Sequence, residues 1–147
     1  MASAPHAFSV YVHVPYCRAI CPYCDFNVHR ASPLPEERYV DALASELRAF
    51  AATPPFAGRP VATIYFGGGT PSVFRAAAIG RVIDEVAAAF GVEASAEITL
   101  EANPEDLAVR ALQDLRGRGV NRLSIGIQSF EPRHLRRLGR GGCGRFV

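Results

Sequence analysis

Lysine is absent from this chain: all 16 basic residues are arginine. Together with the Ala-rich stretches this fits a GC-rich coding bias, and it excludes no function. The lack of a charge imbalance says more. The 16 basic and 14 acidic residues leave a net charge of +2 and are spread along the sequence, so no basic stripe points to nucleic acid. No apolar run approaches the ~20 residues that span a bilayer. Nor does a basic segment followed by a long apolar one open the chain. The expectation is a cytoplasmic protein with no transmembrane segment and no nucleic-acid role. Cysteine is also scarce, with 4 in the chain, yet Cys17, Cys21 and Cys24 crowd into "CRAICPYC". Three close cysteines and a distant fourth make a poor disulfide framework, and in a reducing compartment such a cluster asks for a metal. Cys143, in "GRGGCGRFV", has no motif around it and is read as incidental.

What is present is enough for one ordinary domain: 147 residues, 49% of them hydrophobic. "FSVYVHV" (8–14) is a β-branched and aromatic run stopped by Pro15, a strand feeding a loop that holds the cysteines. "RYVDALASELRAF" then carries Tyr39, Val40, Leu43, Leu47 and Phe50 at helical spacing. The pattern repeats. "VATIYF" is a strand ended by "GGGTPS", and "RAAAIGRVIDEVAAAF" places Ile79, Val82, Ile83, Val86 and Phe90 on one helical face. "AEITLEANP" predicts a third strand before a helix over 106–116, and "RLSIGIQSF" a fourth before the short helical "PRHLRRL". Strict strand–helix alternation predicts an α/β fold: a parallel sheet with helices outside, curled toward a partial (β/α) barrel of about four βα units. In such folds the loops leaving the C-terminal strand ends build the site. Here they hold "PYCRAICPYCDF", "GGGTPS", "EANPED" and "QSFEPR", four distinctive loops on one rim.

Three thiolates can hold three irons of a four-iron cluster and leave the fourth without a protein ligand. The bland alternative is a closed tetrahedral zinc module of Cys17, Cys21 and Cys24 with His13 or His29. Cys17-x3-Cys21-x2-Cys24 after a strand resembles the signature of the radical S-adenosylmethionine enzymes. In that family the open iron of a [4Fe–4S] cluster binds the amino and carboxylate groups of S-adenosylmethionine, and an electron from the cluster cleaves the sulfonium to a deoxyadenosyl radical. "YVHVPYC", "IYFGGGTPS", "EITLEANP" and "LSIGIQSF…RLGR", in this order, narrow the resemblance to the branch of oxygen-independent coproporphyrinogen III oxidases and heme chaperones. The active decarboxylase of that branch carries a further cysteine two residues after the third. Phe26 stands there, which argues against the oxidase and for the chaperone side, with heme as cargo and a heme-acceptor protein as partner.

The resemblance also implies roles. Gly68 and Gly69, with Thr70, would meet the methionine end of S-adenosylmethionine, helped by glycine backbone N–H groups that a ligand can approach closely. Glu101 would sit at the cofactor's amino group or ribose. Gln128 suits ribose hydroxyls, and Arg140 the cofactor carboxylate. Tyr11 and Tyr23 match aromatics near the cofactor, although both could be packing residues. His13 would share Tyr11's inward face by the period of two, where a lone histidine is more often structural. Residues 1–140 read as the N-terminal portion of the radical S-adenosylmethionine core and 141–147 as a tail outside it. Because the family's chains are longer, a truncated form is expected, with an unpaired edge and an apolar inner sheet face that would leave it poorly stable.

Overall fold

The structure, a computed structural model, describes residues 6–140. Strand β1 (Phe8–Val14) is followed by two very short strands, β2 (Tyr16–Cys17) and β3 (His29–Arg30), then helix α1 (Glu36–Ala51). Strand β4 (Val61–Gly68), helix α2 (Ala76–Phe90), strand β5 (Val92–Ala102), helix α3 (Val109–Gly117), strand β6 (Arg122–Ile125) and helix α4 (Pro132–Arg137) complete the chain. The four main strands form one sheet in the order β1-β4-β5-β6, parallel throughout. The expected alternation is therefore present, and each strand's neighbour in the sheet is its neighbour in the alternation.

Strand periodicity sorts the residues into two faces. Val12 and Val14 of β1, Ile64 and Phe66 of β4, and Ile98, Leu100 and Ala102 of β5 belong to one hydrophobic core with Val40 of α1 and Ile79, Val82 and Val86 of α2, and the partly buried Val10 packs against it. The register sets Val12 beside Phe66, Phe66 beside Leu100 and Leu100 beside Leu123. Burying each such side chain contributes ~1.5–3 kcal/mol. Helix α2 meets the sheet with a broad apolar stripe. Helix α1 buries less and is tied to the α2 side by charge: Glu36 accepts the Arg75 backbone N–H at 2.7 Å and its guanidinium Nε, while Arg81 bridges Glu37 and Asp41.

The other face is polar and aromatic. Tyr11, Tyr65, Thr99 and Arg122 lie in one register row, with His13 beside Gly67 and Glu101 beside Ser124 in the next. The expected apolar inner face is thus corrected: the apolar half of each strand is used under the helices. Helices covering one face of a sequentially ordered parallel sheet are the arrangement of a barrel wall, in which the uncovered face is the interior.

Three boundaries differ from expectation by three residues or more. The fourth strand stops at Ile125 instead of running to residue 130, because β5 ends at Ala102 and beyond Gly126, whose N–H reaches Ala102 O at 2.9 Å, no ladder remains to pair with. The third strand begins at Val92, four residues early, where Val92 pairs with Val61. Helix α3 begins at Val109 because Pro104–Asp106 forms a separate 3-10 turn. The β2–β3 pair carries no readable period at two residues each, yet it closes the cysteine loop, with His29 N–H donating to Pro15 O at 2.6 Å. Residues 141–147, and Cys143 with them, lie outside the described residues.

Candidate functional site

The loops after β1, β4, β5 and β6 meet at the C-terminal end of the sheet around a cavity of about 340 Å3. From the first loop Cys17, Cys21, Cys24, Tyr23 and Phe26 line it; from the second, Gly68, Gly69 and Thr70. Glu101 and Asn103 come from the end of β5, Gln128 from beyond β6, and Arg140 from beyond α4. Tyr11 is not among the lining residues. It stands lower on the inner face, 58% exposed, with His13 beside it. His13 and His29 also lie outside the lining, and among the described residues no three His, Cys, Asp or Glu side chains converge as they would on one ion.

The glycine loop is closely packed against the cysteine loop and β1. Gly68 has φ +107°, and a Cβ there would lie 2.6 Å from the His13 ring. A Cβ on Gly69 would stand 2.8 Å from Tyr16 O. Gly69 N–H donates to Val14 O at 2.8 Å and Thr70 N–H to Tyr16 O at 2.9 Å. The Gly69 and Thr70 N–H groups are thus engaged within the chain. At these two positions they dock the glycine loop on the cysteine loop, and the close approach is what the missing side chains permit.

A hydrogen-bonded chain crosses the cavity wall. Thr70 Oγ1 donates to Cys17 Sγ at 3.2 Å, Asn103 Nδ2 donates to Thr70 Oγ1 at 3.5 Å, and Arg140 donates from Nη1 to Asn103 Oδ1 at 2.7 Å. Arg140 Nε also reaches the Tyr23 hydroxyl at 3.4 Å, and Nη1 lies 3.8 Å from a Glu105 carboxylate oxygen. Burial pushes the Cys17 thiol up, partly offset by the Thr70 hydrogen bond. Burial raises Tyr23 as well, against the lowering effect of Arg140. For Arg140 burial acts downward, but the Tyr23 contact and nearby negative charge raise it overall, so it remains a cation. Gln128 is the one non-glycine residue at positive φ (66°) among the described residues. That conformation costs about 1–2 kcal/mol and is of the kind that marks functional positions.

Sequence reasoning did not single out Asn103, Arg18, Ser72 or Asp106. Asp106 accepts from Ser72 at 2.8 Å and from Arg18 at 3.0 Å, fastening the third loop to the first two. The position of Asn103 directly after a strand, in "EANP", was the available signal.

A cysteine-loop βα sheet with all its strand-end loops on one cavity is the architecture of a known class, and the sequence profile of the radical SAM superfamily matches residues 11–145. The chain belongs to that superfamily. It is 44% identical over 133 residues to the heme chaperone HemW of Escherichia coli, covering 90% of this chain and 35% of that protein. HemW of Bacillus subtilis is 38% identical over 135 residues, again covering 90% and 35%. Oxygen-independent coproporphyrinogen III oxidase of E. coli is 37% identical over 145 residues, 95% of this chain and 30% of that one. The solved structure of E. coli coproporphyrinogen III oxidase, HemN, described as a radical SAM enzyme, superposes with a TM-score of 0.84 at 35% identity, over 94% of this chain and 32% of the other. The chain thus spans about a third of the length of these relatives. Among the described residues no helix is long and apolar enough to cross a membrane.

Proposed function

We propose that the chain is the cofactor-binding part of a HemW-like heme chaperone, holding a [4Fe–4S] cluster on Cys17, Cys21 and Cys24 and S-adenosylmethionine beside it. The observation that carries this reading is the convergence of three free cysteines with Gly68, Gly69, Thr70, Glu101, Gln128 and Arg140 on one cavity. Its volume of about 340 Å3 lies within the ~300–1,000 Å3 usual for small-molecule sites. The donor set fits the cluster: three thiols from one loop, one already held by a hydroxyl donor, with a half-buried arginine close by. When bound, the cluster and S-adenosylmethionine supply reductive cleavage chemistry. The residues of this chain bind and orient: Arg140 offers a guanidinium to a carboxylate, Gln128 both donates and accepts toward hydroxyls, and Glu101 accepts from a cationic or hydroxyl donor. Tyr23 is held over the cavity by Arg140. Tyr11 lies outside the lining, on the inner face below it.

Phe26 separates the chaperone reading from the oxidase. It lines the cavity and is 73% exposed, where the decarboxylase pattern has a cysteine, so heme is the cargo this reading assigns and a heme-accepting protein the partner. Anaerobic reconstitution with iron and sulfide should load about four irons per chain, with a reduced-cluster paramagnetic signal that the Cys17→Ala, Cys21→Ala, Cys24→Ala triple variant lacks. Stoichiometric zinc with no iron uptake would overturn the cluster. A heme titration giving a saturable Soret band, without conversion of coproporphyrinogen III, supports the chaperone; conversion of that substrate supports the oxidase instead.

A further inference from the structure

Tyr65 lies in β4 on the polar face, one row behind the cavity rim. Its phenol donates to Glu101 Oε1 at 2.7 Å, a diagonal contact, since the register sets Tyr65 beside Thr99. The space it crosses is left open by Gly67. A Cβ at that position would stand 2.9 Å from the Tyr65 ring, 3.0 Å from the Tyr11 ring and 3.2 Å from Glu101 Oε2. Tyr11 stacks on Tyr65 with ring centroids 6.1 Å apart and planes inclined by 21°, which limits how far the phenol can swing. Arg122, the arginine of this face, donates to Glu97 and Thr99. The partner the geometry supplies to Glu101 is therefore a neutral donor, bound through Oε1.

We propose that Tyr65 is a positioning residue: it commits Oε1 of Glu101 and thereby holds Oε2 ready for a donor group of the bound S-adenosyl compound, its ammonium or a ribose hydroxyl. This rests on the reading that Glu101 meets the cofactor. A free glutamate has several rotamers, and ligand binding would have to select one; the phenol makes that selection beforehand. The hydrogen bond to Glu101, more than burial, raises the Tyr65 phenol above its ordinary range, so it remains protonated and able to donate at neutral pH. Tyr11 from β1 and Arg122 from β6 are the other titratable groups facing it, with the Ser124 hydroxyl.

The test uses the iron- and sulfide-reconstituted chain with S-adenosylhomocysteine, which binds without being cleaved, measured by equilibrium dialysis. Tyr65→Phe keeps the ring and its stacking and should weaken binding about tenfold, as expected for a lost hydrogen bond to a charged group. Glu101→Gln should weaken it at least as much, and adding Tyr65→Phe to Glu101→Gln should have no further effect. Glu101→Gln should also lower the pH at which tyrosinate absorbance rises, a change missing in the Tyr65→Phe background. Unaltered iron content in each variant controls for folding. If Glu101→Gln weakens binding and Tyr65→Phe does not, or if the two effects simply add, Tyr65 is packing and the proposal is overturned. If Glu101→Gln leaves binding unchanged, the cofactor role of Glu101 fails first and this inference with it. Repeating the series with 5′-methylthioadenosine, which lacks the amino-acid end, upholds the proposal either way: a vanished effect names the ammonium as the donor, a persisting one the ribose.

Discussion

The two faces of the sheet are made by alternate residues of the same strands, yet they obey different physics. Under the helices, Phe66 and Leu100 are fully buried and surrounded by Ile64, Ile79 and Val86. One residue away, Tyr65 and Glu101 keep partial contact with solvent and are organised by directed polar contacts. Apolar burial therefore lies on one face and the polar contacts on the other, so a change among the exposed polar groups is expected to cost less stability than one among the buried apolar ones. The strand-end loops belong to the polar face: they hold the cysteines, and they are fastened by side-chain hydrogen bonds such as Ser72 to Asp106.

The sharpest way to break this contrast is on neighbouring residues. Phe66→Ala empties a fully buried ring site and should cost ~3–5 kcal/mol, read as a large drop in the urea midpoint. Tyr65→Phe beside it should change that midpoint by less than ~1 kcal/mol. Equal losses for the two would show that the faces are not divided as described. At the junction of face and loop, Gly68→Val forces a β-branched side chain into positive φ and against the His13 ring. The expected penalty is roughly 1–3 kcal/mol, with weaker S-adenosylhomocysteine binding and iron content retained; loss of the iron as well would mean the glycine loop supports the cluster directly.

A smaller effect than the Phe66 and Gly68 changes is a titration. Tyr39, on the helix side, packs edge-on against Tyr16 and Phe74, and burial pushes its phenol up to about 12. Its folded-state value exceeds the ordinary value near 10, so the neutral form is favoured by folding. That stabilisation is fully present below pH ~10 and is lost as pH rises through about 12. Discounted for partial exposure it amounts to roughly 1 kcal/mol. Tyr39→Phe should flatten the fall in unfolding midpoint between those pH values; an unchanged fall would show that burial does not hold this phenol neutral.

Periodicity in the sequence was sufficient to place the βα units, because Val12, Val14, Ile79 and Val86 fall at spacings that only a strand or a helix can bury together. Spacing likewise marked Cys17, Cys21 and Cys24 as a candidate metal-ligating set, and Phe26 set the proposed chaperone reading apart. Which half of each strand forms the interior reads two ways in the sequence: Tyr11 and His13 are placed inward, yet an apolar inner face is expected, because a period of two defines two faces without saying which one the helices cover. That choice belongs to the packing of α1 and α2, and it turned the expected apolar interior into the row of Tyr11, Tyr65 and Thr99. Strand ends also waited for the fold, since β6 is cut short by the end of its partner and not by its own residues. The polar contacts came last of all. Asn103 with Arg140, and Tyr65 with Glu101, are far apart in sequence and carry no shared pattern, so only the parallel register and the convergence of four loops decided that they would meet.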